Sequence, residues 1–195
     1  TDNYANGWLN HFYIYADPGS GRFAFVLSPG LPPAAAKWRE IMGAGEGISH
    51  PPRVETRPIA FRASSDLTHS AFVAERTMEF IRANAGRNFL CVAGFYSPHA
   101  PLIAPQEFLD LYDPDSLTAP EFPPELDRAG AGEEFTDDGL RLARQGYYAC
   151  VSEVDHHVGR ILACLADCGL AEDTIVVFTS DHGEFLGEYL KYGKG

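Results

Sequence analysis

The sequence is short of positive charge. Its 195 residues carry 15 Lys+Arg against 27 Asp+Glu, a formal charge of −12, and the pI lies near 4.9. Surfaces that bind nucleic acid gain affinity by releasing phosphate counterions, so this balance argues against such a role. An anion can still be held, but only locally, by a metal ion or a few placed cations. Long apolar runs are missing as well. No uninterrupted stretch approaches the ~20 residues that a bilayer-spanning helix requires, and mean hydropathy is −0.17. Cysteine is scarce, with four residues and no Cys-x-x-Cys pair, which excludes a disulfide scaffold. Cys150, Cys164 and Cys168 share one apolar-periodic segment and read as small packing residues. The start carries no signal-peptide pattern, and with Thr1 first and Lys194-Gly195 last both ends read as cut from something longer.

What is present alternates between strand and helix signals. Phe12-Tyr13-Ile14-Tyr15 and Phe23-Ala24-Phe25-Val26-Leu27 flank Asp17-Pro18-Gly19-Ser20-Gly21, which is strand, turn chemistry and strand, hence a hairpin. From Pro29 to Arg62 no period is sustained. The glycine run Gly43-Ala44-Gly45-Glu46-Gly47 lacks the following helix that a phosphate cradle needs and reads as a loop. Asp66 or Thr68 can cap a helix with Val73, Thr77, Phe80 and Ile81 on one face, ending near Gly86. Phe89–Phe95 is almost continuously apolar, the pattern of a strand buried on both faces. Seven of the fourteen prolines fall between Pro98 and Pro124, an irregular excursion of the kind that is usually functional. Thr136 caps the longest helix, whose stripe Val151, Val154, Val158, Ile161 and Leu165 runs to a stop at Gly169. Thr174–Thr179 is again apolar throughout. Strand, long helix and strand make a βαβ unit, and the fold class is α/β with a mainly parallel sheet flanked by helices. Residues 1–65 are the irregular part with its hairpin, and 66–195 the helix-strand-loop-helix-strand core.

In open α/β sheets, ligands bind beyond the carboxyl ends of the strands. The first apolar strand exits into Tyr96-Ser97-Pro98-His99-Ala100-Pro101 and the second into Ser180-Asp181-His182-Gly183-Glu184. Asp181 and His182 offer a carboxylate oxygen and an imidazole nitrogen, which is half a metal site, since a divalent ion takes four or more ligands. On the other reading Asp181 caps the next segment and His182 is a polar loop residue. His99, in a proline-stiffened loop, suits a group that points at substrate without reorganising, or it is an exposed turn histidine. Lys191 and Lys194 lie close enough beyond the pair to meet an anion, though surface lysines are ordinarily solvated. Asp155, His156 and His157 sit mid-helix, where adjacent residues point about 100° apart, so they read as structural.

Three blocks together carry a resemblance. Phe95-Tyr96-Ser97-Pro98-His99-Ala100-Pro101, the helix Tyr147–Leu162 with Glu153-Val154-Asp155-His156-His157, and Thr179-Ser180-Asp181-His182-Gly183-Glu184-Phe185-Leu186-Gly187-Glu188 with Gly193-Lys194-Gly195 closely resemble the sulfatase family of the alkaline-phosphatase superfamily, in that family's order. The similarity covers about Asp66 to Gly195. It implies a partial alkaline-phosphatase-like sandwich, with residues 1–195 forming the later part of one catalytic domain. It further implies a divalent cation, commonly Ca2+, held in part by Asp181 and His182 beneath a formylglycine. By the same matching His99 meets the sulfate or its leaving oxygen, and Lys194 meets the sulfate.

The sequence departs from the family at the nucleophile. None of its four cysteines stands in Cys-x-Pro-Ser-Arg, and no N-terminal Asp-Asp ligand pair is present. The expectation is a piece of a metal-dependent sulfatase, inactive alone, with the formylglycine in the missing part. The expected substrate is a sulfated small molecule or saccharide. The nearest rivals are a phosphonate monoester or phosphodiester hydrolase of the same superfamily and a noncatalytic relative of the fold used for binding.

Overall fold

The computed structural model describes residues 13–17, 22–26, 56–128 and 130–194. The glycine run at 43–47 lies outside them, as do the outer residues of the expected hairpin. Within them the hairpin strands pair antiparallel, β1 (Tyr13–Asp17) with β2 (Arg22–Val26), in the register Tyr13↔Val26 to Asp17↔Arg22. The remaining described residues fall into two compact units. One holds 66–96 and 157–174, and the other holds 56–65, 97–156 and 175–194.

The first unit is organised by helix α1 (His69–Asn84). Thr68 is its N-cap, with Oγ1 accepting from the Ala71 N–H at 3.1 Å, which satisfies one of the orphan donors of the first turn. The face bearing Ala71, Val73, Ala74, Thr77, Met78 and Ile81 is buried, and the Thr77 hydroxyl is disposed of by donating to the Val73 carbonyl at 2.8 Å. Met78 and Ile81 pack against Cys164 and Leu165, with Phe89, Ile161, Cys168 and Leu170 at the margin. Those partners come from the end of helix α3 (Asp137–Asp167) and the residues after it. Gly169 there adopts φ +68, while the Leu170 N–H reaches back to Leu165 O and the Gly169 N–H to Ala166 O, a Schellman stop.

The second unit holds a parallel pair, β3 (Ile59–Phe61) and β4 (Ile103–Pro105), in the register Ile59↔Ile103 to Phe61↔Pro105. Parallel strands need a long crossover, and here α1 lies within the connection. The short helix α2 (Gln106–Leu109) follows β4 directly. Ala104 of β4, Leu109 of α2, and Ala149 and Cys150 of α3 form one core with Ala60, Phe108 and Tyr112 around it, so helices flank the sheet and the α/β class holds. At Gly146 an added Cβ would lie 3.0 Å from Leu102 and 3.1 Å from Pro58, so the helix approaches these neighbours closely and a side chain there would need them to shift by a few tenths of an ångström. Thr136 caps α3 by accepting from the Gly139 N–H at 3.1 Å.

Three expectations need correction. Phe89–Phe95 and Thr174–Thr179 are not buried ladder strands. Leu90 and Val92 are exposed while the alternate residues are half-covered, and Ile175 through Phe178 are exposed on both faces, Ile175 at 92%. An apolar run states a need for burial; a ladder also needs a neighbouring strand, and among the described residues neither run belongs to a strand of two or more residues, Leu90 alone forming a single bridge. The parallel pair instead joins two three-residue strands, too short to show a period. The stripe of α3 is also rotated: Val151 is exposed, while Cys150, Glu153 and His157 are buried with Val154 and Leu165. Small residues at Gly146, Ala149 and Cys150 allow the close packing that decides the inward face, and hydrophobicity alone does not rank them.

Candidate functional site

The chain from Ser180 to Lys194 builds the candidate site, and a short hairpin shapes it. Strands β5 (Phe185–Leu186) and β6 (Tyr192–Gly193) pair antiparallel, Phe185↔Gly193 and Leu186↔Tyr192. The turn between them is closed by the Gly187 N–H on Lys191 O at 2.9 Å and the Leu190 N–H on Gly187 O at 3.0 Å. Gly187 sits at φ +101, and a Cβ placed there would come within 2.0 Å of Leu140 Cδ2, on a side chain with no exposed surface. Glu188 ties the turn down: its Oε2 accepts from the Leu186 N–H at 2.6 Å and its Oε1 from Arg144 Nη2 at 3.3 Å. Arg144 also donates to the Thr118 carbonyl. The Tyr192 hydroxyl donates to Glu134 O at 2.8 Å. Burial, with Glu134 and Glu188 nearby, pushes that phenol up to about 12, so it stays a donor at any ordinary pH.

These anchors have a pH signature. Burial alone raises the Glu188 carboxyl, but backbone N–H donors and the Arg144 guanidinium outweigh it and hold the group below the usual carboxylate range. A carboxyl depressed on folding stabilises fully above its unfolded pKa of about 4.3, and the contribution is lost as pH falls through the lower folded value. The hairpin should therefore be insensitive to pH from about 5 to 9 and loosen only in more acid solution. The Leu186 amide resonance followed by NMR checks this, and a midpoint near neutrality would exclude Glu188 as the anchor.

At the mouth of the hairpin, the His182 N–H donates to Asp181 Oδ1 at 3.0 Å, and Ser180 Oγ donates to His182 O at 2.6 Å. His182 Nδ1 lies 2.8 Å from Gly183 O, and Nε2 stands 3.5 Å from Asp181 Oδ2. That separation is close to that of adjacent ligands with bonds of about 2.1 to 2.5 Å on one cation. The pair thus fits half of a divalent site. Among the described residues no group of three or more His, Cys, Asp or Glu could hold a metal ion.

Lys194 directly follows strand β6. One step beyond Phe185↔Gly193 it stands abreast of Glu184, with Gly193 at φ +87 and its Cβ position 4.0 Å from Glu184 Oε1. Lys191 is spent elsewhere, its Nζ 5.8 Å from the Phe185 ring centroid. His99 lies on a separate, exposed loop between two cis X-Pro bonds, with Nδ1 2.7 Å from Ala100 O. It precedes β4 rather than following a strand, so the structure brings Asp181, His182 and Lys194 into one stretch of chain and leaves His99 on another.

Cys91, Cys150 and Cys164 are not activated nucleophiles. Burial pushes the Cys150 thiol up to about 12, with Glu153 adding to the effect, and burial raises Cys91 and Cys164 as well. A thiol of that kind is protonated and inert at neutral pH. His157 is buried, its Nδ1 3.2 Å from Arg160 Nη1, and Arg160 pairs with Glu75. His156 lies 5.8 Å from the Phe108 ring centroid. The burial of His157 is in keeping with a structural role, while His156 is exposed. Sequence reasoning missed Arg144 and Glu188, although an arginine on the same α3 face as Leu140 was a signal that an acidic partner faces it.

Residues 33–195 match the protein family described as Sulfatase. The chain is 27% identical over 198 residues to the multifunctional alkaline phosphatase superfamily protein PehA of Trinickia caryophylli, covering 89% of this chain and 38% of that protein. It is 35% identical over 144 residues to the iduronate 2-sulfatase of Mus musculus, covering 62% of this chain and 26% of that one. The solved phosphonate monoester hydrolase of Silicibacter pomeroyi superposes with a TM-score of 0.64 at 26% identity, over 82% of this chain and 38% of the other. The chain spans well under half the length of each.

Proposed function

Because this chain belongs to the sulfatase family, we propose that the protein carrying it is a metal-dependent sulfate-ester hydrolase in which Asp181 and His182 are metal ligands. The observation that supports this reading is the Asp181 carboxylate and the His182 imidazole lying 3.5 Å apart just before a hairpin that ends next to Lys194. The superfamily generally uses a divalent metal, in sulfatases commonly Ca2+, and when bound it polarises the ester oxygens. Lys194 neutralises charge on those oxygens as it develops. With Nδ1–H donated to the Ala100 carbonyl, His99 carries the leaving group's proton at Nε2. The nucleophile of this reading is a formylglycine outside these 195 residues, since no cysteine here stands in Cys-x-Pro-Ser-Arg. The substrate is a sulfated small molecule or saccharide.

In the full-length protein, 4-nitrophenyl sulfate should be turned over, the activity should disappear on chelation and return with Ca2+, and Asp181→Ala should lower kcat/KM by on the order of a hundredfold or more. Turnover indifferent to chelation would sink the metal role. The likeness to a phosphonate monoester hydrolase at TM-score 0.64 favours a second reading on the same site. A kcat/KM for the 4-nitrophenyl ester of phenylphosphonate above that for the sulfate would select it.

A further inference from the structure

The open end of the β5–β6 hairpin brings two opposite charges level. Glu184 precedes β5 and Lys194 follows β6, and the register Phe185↔Gly193 and Leu186↔Tyr192 sets them opposite one another. Facing residues of an antiparallel pair hold their Cβ atoms roughly 5 Å apart, within the combined reach of a glutamate and a lysine. The Glu184 carboxylate lies toward the partner strand, its Oε1 4.0 Å from the Cβ position of Gly193, the residue before Lys194. Its charge is also felt on α3, where burial first and Glu184 second raise the half-buried Tyr147 phenol. Other charges of the hairpin are matched elsewhere: Glu188 pairs with Arg144, and Lys191 lies over the Phe185 ring. Neither Glu184 nor Lys194 belongs to an ion pair among the described residues, which leaves each as the other's facing charge.

A lysine carries its charge on a flexible stem, and at an exposed strand end the backbone does not fix where the ammonium points. A cation that is to meet developing charge must be directed before that charge develops. We propose that Glu184 is a positioning residue, which directs the Lys194 ammonium by an ion pair across the open end of the hairpin; the inference rests on the sulfate-ester reading above. An exposed pair of this kind is weakly held, so the ammonium passes to the ester oxygens when they compete for it. Loss of the carboxylate therefore acts on kcat, which reports the state where charge on oxygen is greatest, more than on KM.

A cycle of variants in the full-length protein, assayed with 4-nitrophenyl sulfate, tests this. Glu184→Gln should lower kcat about tenfold with KM changed by less than about twofold, and Glu184→Asp should recover kcat to within about threefold of the parent. In a Lys194→Ala background, Glu184→Gln should change kcat/KM by less than about twofold, because a positioning residue has no effect once the group it positions is gone. An equal loss in that background would show the carboxylate acting without the lysine and would overturn the proposal. A silent Glu184→Gln in an active parent would overturn it too, while leaving the sulfatase reading intact. A readout independent of hydrolysis is the Lys194 ε-methylene resonance in 13C-lysine protein, identified by its loss in Lys194→Ala. Its geminal protons should be inequivalent in the parent and merge in Glu184→Gln, with the Lys191 signal unmoved; merged protons in the parent would overturn the pairing. If the parent cleaves no aryl sulfate, the sulfatase reading falls, and this resonance decides the pairing by itself.

Discussion

Replacing Lys194 with alanine should lower kcat/KM for an aryl sulfate by on the order of a hundredfold or more, while Lys191→Ala should change it by less than about threefold. The two lysines are three residues apart and differ in what the hairpin does with them. Lys191 closes the turn and lays its ammonium against Phe185, a contact worth at most about 1 kcal/mol at an exposed position. Lys194 follows Gly193, whose positive φ bends the strand end at the place where the register brings it abreast of Glu184. On the proposed reading, a cation there meets the charge that builds on an ester oxygen. Its removal should act on kcat more than on KM, because the charge it meets grows toward the transition state. Steady-state kinetics on both variants decides the matter, and the reverse ranking would mean that the register does not carry Lys194 to the substrate.

The second large effect is one of stability. Gly187→Ala should destabilise the protein by roughly 3 kcal/mol or more, combining a non-glycine residue at φ +101 with a collision in a packed interior. The collision has a named partner, Leu140, which can be removed separately. Leu140→Ala alone should cost about 2 to 5 kcal/mol for the cavity it leaves. In the double variant the costs should fall short of the sum by more than about 1 kcal/mol, since the shortened side chain makes room for the new methyl. Denaturant unfolding of the four proteins measures this coupling, and strict additivity would mean that Gly187 and Leu140 do not meet.

These contacts also mark what could and could not be seen in the sequence. Thr68, Thr136 and Gly169 were legible as helix ends because a cap is a contract between a side chain and backbone three residues away. Asp181 and His182 were legible as donors because they are adjacent and their chemistry is intrinsic. Ile175 to Phe178 misled, since apolar character promises burial but the neighbour that would supply it is specified elsewhere. The pairing of Ile59–Phe61 with Ile103–Pro105 left no periodic trace because three residues are less than two full alternations. Gly187 against Leu140, and Glu188 with Arg144, join residues far apart in the chain, so nothing local announces them. His99 does lie in a loop between two prolines, but its position before β4 depended on a strand that periodicity does not reveal.

The exposed run from Ile175 to Phe178 has a consequence for these 195 residues as a solute. With a formal charge of −12, copies repel one another, and at low ionic strength that repulsion reaches ~30 Å, well beyond the length of four extended residues. At physiological salt it shrinks to about 8 Å, and two such apolar strips can then come into contact. Colloidal stability therefore rests on the excess of Asp and Glu, and adding salt removes that protection while every fold contact stays in place.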